Sequence, residues 1–196
     1  MRKLYISAAL LLGVFAFSSC EDQDTTPVLQ EPTEFVLNTP AYVNGTYDLE
    51  HSTTLELTCS QPDYGFTAAT SYAVEVSLTG VFDGTESTVL GTTYSTARMN
   101  VDVAELAAAL TALATNADPE LTEADFPMVS EVYVRLIASL TNSGKGEIVS
   151  NVIILPNVRM HYALPAVNLP EELYLIGQCN GWDWGAAYAF VPAYDN

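Results

Sequence analysis

The residue with the clearest chemistry in this chain is Cys20, because it follows a secretion signal directly. Two basic residues open the chain, and the apolar run from Leu4 to Phe17 follows them. That run is about fourteen residues long, which is typical of a signal peptide and short of the roughly 20 needed to span a bilayer. The small residues Ser18 and Ser19 then lead into the cysteine, as in a bacterial lipobox.

A thiol at this position predicts a specific reaction. Sulfur is a strong nucleophile, so Cys20 can take a diacylglyceryl group before the peptide bond on its N-terminal side is cut. Each buried CH₂ of the acyl chains contributes about 0.8 kcal/mol, and several chains anchor a protein stably where one does not. We therefore predict a signal peptide over residues 1–19 and a lipid anchor at Cys20. The alternative is an ordinary exported protein with an incidental cysteine near the cleavage site.

Other reactive arrangements are missing from the sequence. No GxSxG, HExxH, Walker-loop or DxDxDG motif occurs, and no CxxC pair. His51 and His161 lie 110 residues apart, and neither is near a nucleophile motif. Two carboxylates suffice for a glycosidase, but no spacing among the 24 acidic residues selects a pair. We predict that the protein is not an enzyme and has no catalytic residues, metal site or cofactor.

The charge of the chain restricts its ligands. The sequence has 6 basic and 24 acidic residues, and removal of the signal peptide leaves four basic residues and a net charge near −20. Such a surface repels nucleic acid, anionic lipid headgroups and acidic substrates. A neutral glycan carries no such penalty.

Two cysteines remain besides Cys20. Cys59 and Cys179 can pair in an oxidising compartment, although they fall in different predicted domains. Cys59 also continues the alternation of Leu55 and Leu57, which favours a small buried apolar side chain. The sequence leaves the pairing open.

Residues 20–33 are polar and acidic and contain two prolines, which predicts an extended tether. Acidic residues at positions 21, 22 and 24 follow the lipidated cysteine directly. They resemble the signal by which some Gram-negative bacteria send lipoproteins to the outer face of the outer membrane. A solvated linker is the alternative.

Residues 34–162 show the alternation of apolar and polar residues that predicts strands. Turn residues such as Asn44–Gly45, Pro62–Asp63 and Asp83–Gly84 separate these runs. Several short strands separated in this way predict an antiparallel β-sandwich. The residues expected to face its core are Leu55, Leu57, Cys59, Tyr72, Val74, Val76, Leu78, Val132, Val134, Leu136, Ala138 and, after a turn at 142–146, Ile148, Val152 and Ile154.

One short helix is predicted within this sandwich. Asp102 can cap its start, with Glu105 as the reciprocal partner of a capping box. An apolar stripe then recurs at helical spacing, and we expect it to close one open end of the sandwich rather than to hold a ligand. The stripe consists of Val103, Leu106, Ala107, Leu110 and Leu113.

The chain changes character after the sandwich. Residues 163–170 contain two prolines and predict a linker. Residues 171–196 begin with an apolar strand and then reach Trp182 and Trp184. These 26 residues are fewer than the roughly 40 of a self-standing domain. We therefore expect the truncated start of a second β-sandwich module from a longer protein.

Several of these features together resemble the SusE/SusF family of surface lipoproteins in starch- and glycan-utilisation systems. They are the lipobox with its acidic followers, Gln61–Gly65, Tyr72–Ser77, the helix over 102–113 and Ser150–Ile153. Leu173–Gly177 with Asn180–Trp182 is similar to the opening of a starch-binding module of that family.

The resemblance implies a mostly β chain with an immunoglobulin-like or fibronectin-like antiparallel sandwich over residues 34–162. It also implies a lipid-anchored location at the outer membrane, facing the cell exterior. The implied ligand is a neutral, starch-like glycan held by complete C-terminal modules, and an outer-membrane glycan transporter complex is an implied partner. This chain would then supply the anchor and a spacer domain.

The candidate sugar-binding residues are Trp184 and Trp182, because a flat aromatic ring can cover the apolar face of a glucose unit. We expect them to point to opposite faces of a strand, with Trp184 towards sugar and Trp182 in the core. Any site on the sandwich itself would first involve Tyr64, Tyr72 and Tyr94. The alternative function is a structural or protein-interaction lipoprotein that docks to an outer-membrane transport complex and binds no sugar.

Overall fold

The computed structural model describes residues 28–164 and 174–189. Cys20, the signal peptide and most of the predicted tether and linker lie outside these residues. The described part contains one α-helix, α1 (Val103–Ala117). Its strands are β1 (Tyr47–Asp48), β2 (Thr54–Thr58), β3 (Thr70–Ser77), β4 (Ser87–Tyr94), β5 (Arg98–Asp102), β6 (Met128–Leu140), β7 (Ile148–Val149), β8 (Ile153–Met160), β9 (Tyr174–Leu175) and β10 (Tyr188–Ala189).

The larger sheet has the strand order β1-β8-β6-β3-β4, with β7 also paired to β6. Its pairs are antiparallel except one, because β1 runs parallel to β8 with Tyr47 opposite Val158. The predicted mostly β fold with one inserted helix is confirmed. The parallel pair was not predicted, since a strand of two residues leaves no alternation to detect.

A second, smaller layer packs against the larger sheet. β2 and β5 pair antiparallel, from Thr54 opposite Asp102 to Thr58 opposite Arg98. A bridge between Leu37 and Cys59 adds a short segment to this layer. α1 begins where β5 ends and contacts β3, β4, β5 and β8. The helix therefore forms part of this layer beside the β2–β5 pair.

One hydrophobic core joins the two layers. The predicted apolar faces of β2, β3 and β6 and the predicted stripe of α1 all contribute buried side chains to it. The sequence pattern was sufficient here because period 2 and period 3.6 each select one face. The core members from these elements include Leu55, Leu57, Cys59, Tyr72, Val74, Val76, Val103, Leu106, Leu110, Val132, Val134, Leu136 and Ala138.

The start of α1 follows the prediction in one respect and departs from it in another. The Asp102 carboxylate accepts hydrogen bonds from the backbone N–H groups of Ala104 and Glu105, as an N-cap should. The Glu105 side chain, however, accepts from the backbone N–H of Thr92 in β4 at 3.0 Å. The predicted reciprocal capping box is therefore wrong, because the Glu105 carboxylate bonds to an N–H of the edge strand.

The predicted core face of β8 is also wrong. Ile153 and Leu155 are buried, whereas Val152 and Ile154 are exposed. The strand is interrupted between β7 and β8 at Ser150, whose hydroxyl accepts a hydrogen bond from the backbone N–H of Leu136 at 2.9 Å. Because the strand restarts after this break, its alternation shifts by one residue relative to the sequence-based assignment.

The outer face of the larger sheet contains a buried ion pair. Glu75 lies on the face predicted to be wetter, yet it is only 5% exposed. The Arg135 guanidinium donates to Glu75 at 2.7 Å, and the Ser87 hydroxyl donates to the other carboxylate oxygen at 2.7 Å. Arg135 also lies 4.3 Å from the centre of the Phe82 ring. The chain following β3 thus shields this pair from water.

In the described ranges, no helix combines the length and apolar character required to cross a membrane.

Candidate functional site

The exposed aromatic side chains concentrate between β9 and β10. These two strands pair antiparallel, with Tyr188 opposite Leu175. Trp182 is 68% exposed and Trp184 is 82% exposed, and Tyr188 is exposed beside them in sequence. We call residues 174–189 the aromatic bend.

Hydrogen bonds of one amide side chain organise the aromatic bend. The Asn180 carbonyl oxygen accepts the backbone N–H of Gly177 at 2.8 Å. The Asn180 amide nitrogen donates to the backbone carbonyl of Ala186 at 3.1 Å, with longer bonds to Leu175 and Asp183. The asparagine of the Asn-Gly-Trp sequence is therefore a structural residue of the bend.

Gly181 and Trp182 follow in the left-handed backbone region, with φ of 64° and 60°. Gly181 adopts this region without cost, but a non-glycine residue there costs on the order of 1–2 kcal/mol. The backbone N–H of Trp182 donates to the carbonyl of Gly177 at 2.9 Å, which helps to hold the conformation. Trp184 then begins a 3₁₀ turn, and the Asp183 carboxylate accepts the N–H of Gly185 at 2.9 Å.

The expected arrangement of the two tryptophans on opposite faces of a strand is wrong. Neither residue lies in a strand, and a period of two would in any case put residues 182 and 184 on the same face. Both side chains are exposed, so the described residues do not bury Trp182 in a core. An indole ring in water is suited to stacking on a flat, partly apolar ligand.

The aromatic residues suggested for a site on the sandwich behave differently. Tyr64 and Tyr72 are 1% and 0% exposed, and Tyr94 packs against the core with its hydroxyl oxygen buried. A sugar cannot reach the ring faces of Tyr64 and Tyr72. The sequence could have indicated this burial for Tyr72, which continues the apolar face of β3, but the turn residues around Tyr64 gave no such signal.

The three arginines of the described residues are paired within the fold. Arg98 pairs with Glu56, Arg135 with Glu75, and Arg159 with both Asp48 and Glu50. Each of these three arginines therefore faces a carboxylate of the same chain, which leaves them poorly placed to bind an anionic ligand.

The densest group of possible metal ligands is Asp48, Glu50 and His51, whose ligand atoms lie within 4.8 Å of one another. The Arg159 guanidinium donates to Glu50 at 2.8 Å and to both Asp48 oxygens at 3.2 Å. Desolvation tends to raise the pKa of the Asp48 carboxyl, but hydrogen bonds from His51, the Glu50 N–H and Arg159 outweigh it and lower that pKa. Because Arg159 supplies the positive charge, the group ties β1 to β8 rather than presenting a cation site.

The two cysteines within the described residues are free. Cys59 is buried, and burial raises the pKa of its thiol to about 11, so it stays protonated at neutral pH. Cys179 is exposed on the aromatic bend. The interpretation of Cys59 as a small buried apolar residue is confirmed.

Comparison with protein families identifies a match for this chain. Residues 21–137 correspond to the SusE outer membrane protein family, and this span is more than half of the chain. It covers β1 to β5, α1 and β6 as far as Ile137, and it does not include the aromatic bend. No solved structure matches the chain. Because the match spans most of the sandwich, the chain belongs to the SusE outer membrane protein family and is an outer membrane protein of the Sus system.

Proposed function

We propose that this protein is a non-catalytic, lipid-anchored glycan-binding protein that faces the cell exterior. Residues 34–162 serve as a spacer above the membrane, and residues 171–196 open a carbohydrate-binding module. The neutral, starch-like ligand is held by complete C-terminal modules, to which Trp184 and Trp182 contribute. The observation that supports this proposal most strongly is the exposure of both tryptophans on the aromatic bend.

The electrostatics of the chain favour a neutral ligand. Acidic residues exceed basic ones by 18 in the full sequence, and the described arginines are paired within the fold. Anionic ligands would meet a repulsive surface, whereas the hydroxyl groups of a neutral sugar would not. Aromatic rings can pack against the apolar face that a neutral sugar offers.

The backbone of the aromatic bend is ordered before any ligand binds. The Asn180 bonds and the cap from Asp183 hold the bend locally. Fewer torsions then have to be ordered when a ligand arrives, which lowers the entropic cost of binding. A full sugar site also needs a concave wall with converging polar groups, and we assign that wall to the complete module.

Affinity electrophoresis of the full-length protein tests the glycan proposal. Gels containing α-glucans or β-glucans should retard the protein in at least one case, and Trp184→Ala should reduce that retardation. Val129→Ala, which alters an exposed residue of β6, is the matched control and should migrate as wild type. Wild-type mobility that no glucan changes would contradict glycan binding.

The anchor requires its own test. Cys20→Ala should abolish fatty-acid labelling and release the protein from the membrane fraction, because the thiol is the acylated group. Cys179→Ala, which removes an exposed thiol elsewhere, should retain the label. Continued labelling of the Cys20→Ala protein would end the lipoprotein proposal.

A second candidate function is docking to an outer-membrane glycan transporter complex without sugar binding. The observation in its favour is two largely apolar cross-strand pairs on the outer face of the larger sheet, one on each side of the Arg135–Glu75 ion pair. Tyr133 lies opposite Ile154, and Ile137 lies opposite Val149, with Ile154 and Val149 exposed. Under this alternative, Ile154→Asp should reduce co-purification with the transporter complex, and Trp184→Ala should leave both co-purification and gel mobility unchanged.

A further inference from the structure

The chain enters the sandwich at a defined point, because residues near the end of the predicted tether contact the loop 61–66. The backbone N–H of Gln30 donates to the carbonyl of Tyr64 at 3.0 Å. A Cβ atom at Gly65 would lie 2.7 Å from the Gln30 side chain, and Gly65 has a φ of 80°, which glycine adopts readily. The segment 28–31 is therefore held against this loop.

A second loop lies beside the entry point. A Cβ atom at Gly146 would be 2.7 Å from the Tyr64 ring, so the two residues are in close contact. The backbone carbonyl of Lys145 accepts the N–H of Leu140, the last residue of β6. The two loops therefore meet where β6 ends. We call residues 28–31, 61–66 and 142–146 the tether end of the sandwich.

The opposite end of the sandwich lies one full length of β6 away. β6 begins at Met128 and ends at Leu140, and its 13 residues at about 3.3 Å each span roughly 40 Å. The Phe126 ring contacts the Tyr162 ring, which follows β8, with 5.5 Å between the ring centres. The segment between α1 and β6 is thus packed at the start of β6. We call residues 118–128 the far end.

The length of the tether limits how the sandwich can sit on a membrane. The proposed anchor, Cys20, lies only eight positions before Val28. A chain of that length spans at most about 28 Å, even when it is fully extended. If the far end rested on the membrane, the tether end would stand roughly 40 Å above it. Because the tether cannot reach that far, the inverted orientation is excluded.

Charge does not decide the orientation, because both ends carry acidic residues. These are Glu31 and Asp63 at the tether end and Asp118, Glu120, Glu123 and Asp125 at the far end. An anionic lipid surface would repel both ends. The loops of the tether end expose polar side chains, including Asn142, Ser143 and Lys145. We therefore expect this end to lie above the lipid headgroups without inserting between them.

We propose that the tether end of the sandwich faces the membrane surface and that the far end points away from it. This inference rests on the proposed lipid anchor, because the tether restricts the sandwich only if Cys20 is held in the bilayer. It specifies which surface of the spacer domain lies next to lipid. A partner that approaches from outside the cell then reaches residues 118–128 before it reaches the loops 61–66 and 142–146.

Two labelled positions test the orientation in the full-length, acylated protein. Ala124→Cys marks the far end and Asn142→Cys marks the tether end, and both native residues are exposed. Cys179→Ser is included in each variant, and Cys59 is buried. Each variant carries a donor dye and is inserted into preformed phosphatidylcholine vesicles with an acceptor dye on the headgroups. Energy transfer should be several times more efficient from position 142 than from position 124.

Flotation of the same samples with the vesicles separates this inference from the proposed function. Protein that does not float contradicts the lipid anchor, and the inference fails with it. Floating protein that shows equal transfer from both positions, or greater transfer from position 124, overturns the orientation and leaves the anchor intact.

A longer tether sharpens the result. An insertion of about twelve glycine and serine residues after position 27 is flexible and raises the maximum reach to about 70 Å. That reach exceeds the length of β6, so the difference in energy transfer between positions 142 and 124 should become smaller. An undiminished difference would contradict the role assigned to tether length.

Discussion

The sandwich and the aromatic bend treat their aromatic residues in opposite ways. Tyr72 is fully buried in β3, where it lies between two long antiparallel neighbours. Trp182 and Trp184 are exposed on a bend whose two strands have two residues each. The difference shows that aromatic burial depends on the strands around the residue, because a ring needs two packed layers before it can leave water.

The two regions also keep their shape by different means. The sandwich combines long strand pairs with one core, and core burial is the main favourable contribution to folding. The aromatic bend relies on side-chain bonds to its own backbone, above all those of Asn180. A region held in this way can expose its rings without losing its fold, which suits a ligand-binding surface.

The largest expected effect comes from placing a charge in the sandwich core. Val134→Asp puts a carboxylate at a position that is 1% exposed, and an unpaired buried charge should remove at least about 4 kcal/mol of stability. That is most of the stability of a marginal domain. Thermal unfolding followed by circular dichroism should show the loss.

Ile154→Asp is the matched control for Val134→Asp, because Ile154 lies on the neighbouring strand and faces outward. It should change stability by only about 0.5 kcal/mol. Equal destabilisation by the two substitutions would contradict the observed alternation of β6 and β8.

Removing one aromatic ring from each region tests the comparison directly. Tyr72→Ala leaves a cavity in the core and should cost about 3–5 kcal/mol. Trp184→Ala removes a ring that is already in water and should change stability by about 0.5 kcal/mol or less. Chemical denaturation of both variants measures the contrast, and a large loss for Trp184→Ala would show that the bend has a core of its own.

The buried ion pair of the sandwich should contribute more to stability than the exposed one. Arg135→Ala leaves the buried Glu75 carboxylate without its partner and should cost about 3 kcal/mol. Arg98→Ala breaks an exposed pair with Glu56 and should cost less than about 1 kcal/mol. Urea midpoints of the two variants check this order. Equal midpoints would mean that water reaches Glu75.

The smallest expected effect concerns Cys59 and Cys179, which should differ in chemical labelling without any change in stability. A thiol-alkylating reagent at neutral pH should modify the exposed Cys179 and leave Cys59 unmodified in the folded protein. Burial raises the pKa of Cys59 to about 11, so almost no thiolate is present there to react. Peptide mass spectrometry locates the label, and rapid native modification of Cys59 would indicate that the sandwich opens locally.

Local patterns in the sequence were enough to predict β2, β3 and β6, the helix and its Asp102 cap. Alternation over several residues selects one face of β2, β3 and β6, and the helical stripe selects one face of α1, whichever partner covers it. The candidate tryptophans were also identifiable, since their residue type suits sugar stacking. Their geometry was not, because the bend depends on a left-handed backbone at Trp182 that no periodicity indicates.

What the sequence determined by itself is therefore the buried faces of β2, β3, β6 and α1 and the acidic, motif-poor character of the chain. The tertiary structure decided which residues of β8 face the core, the parallel pairing of β1 and the burial of Glu75. Each of these depends on residues that are distant in the chain. The Asn151 amide, for example, bonds the backbone of Leu37, which is 114 positions away, and Arg159 bonds Asp48 across 111 positions. Such contacts form only once distant segments of the chain come together, so the free energy that selects them is absent from any local window of sequence.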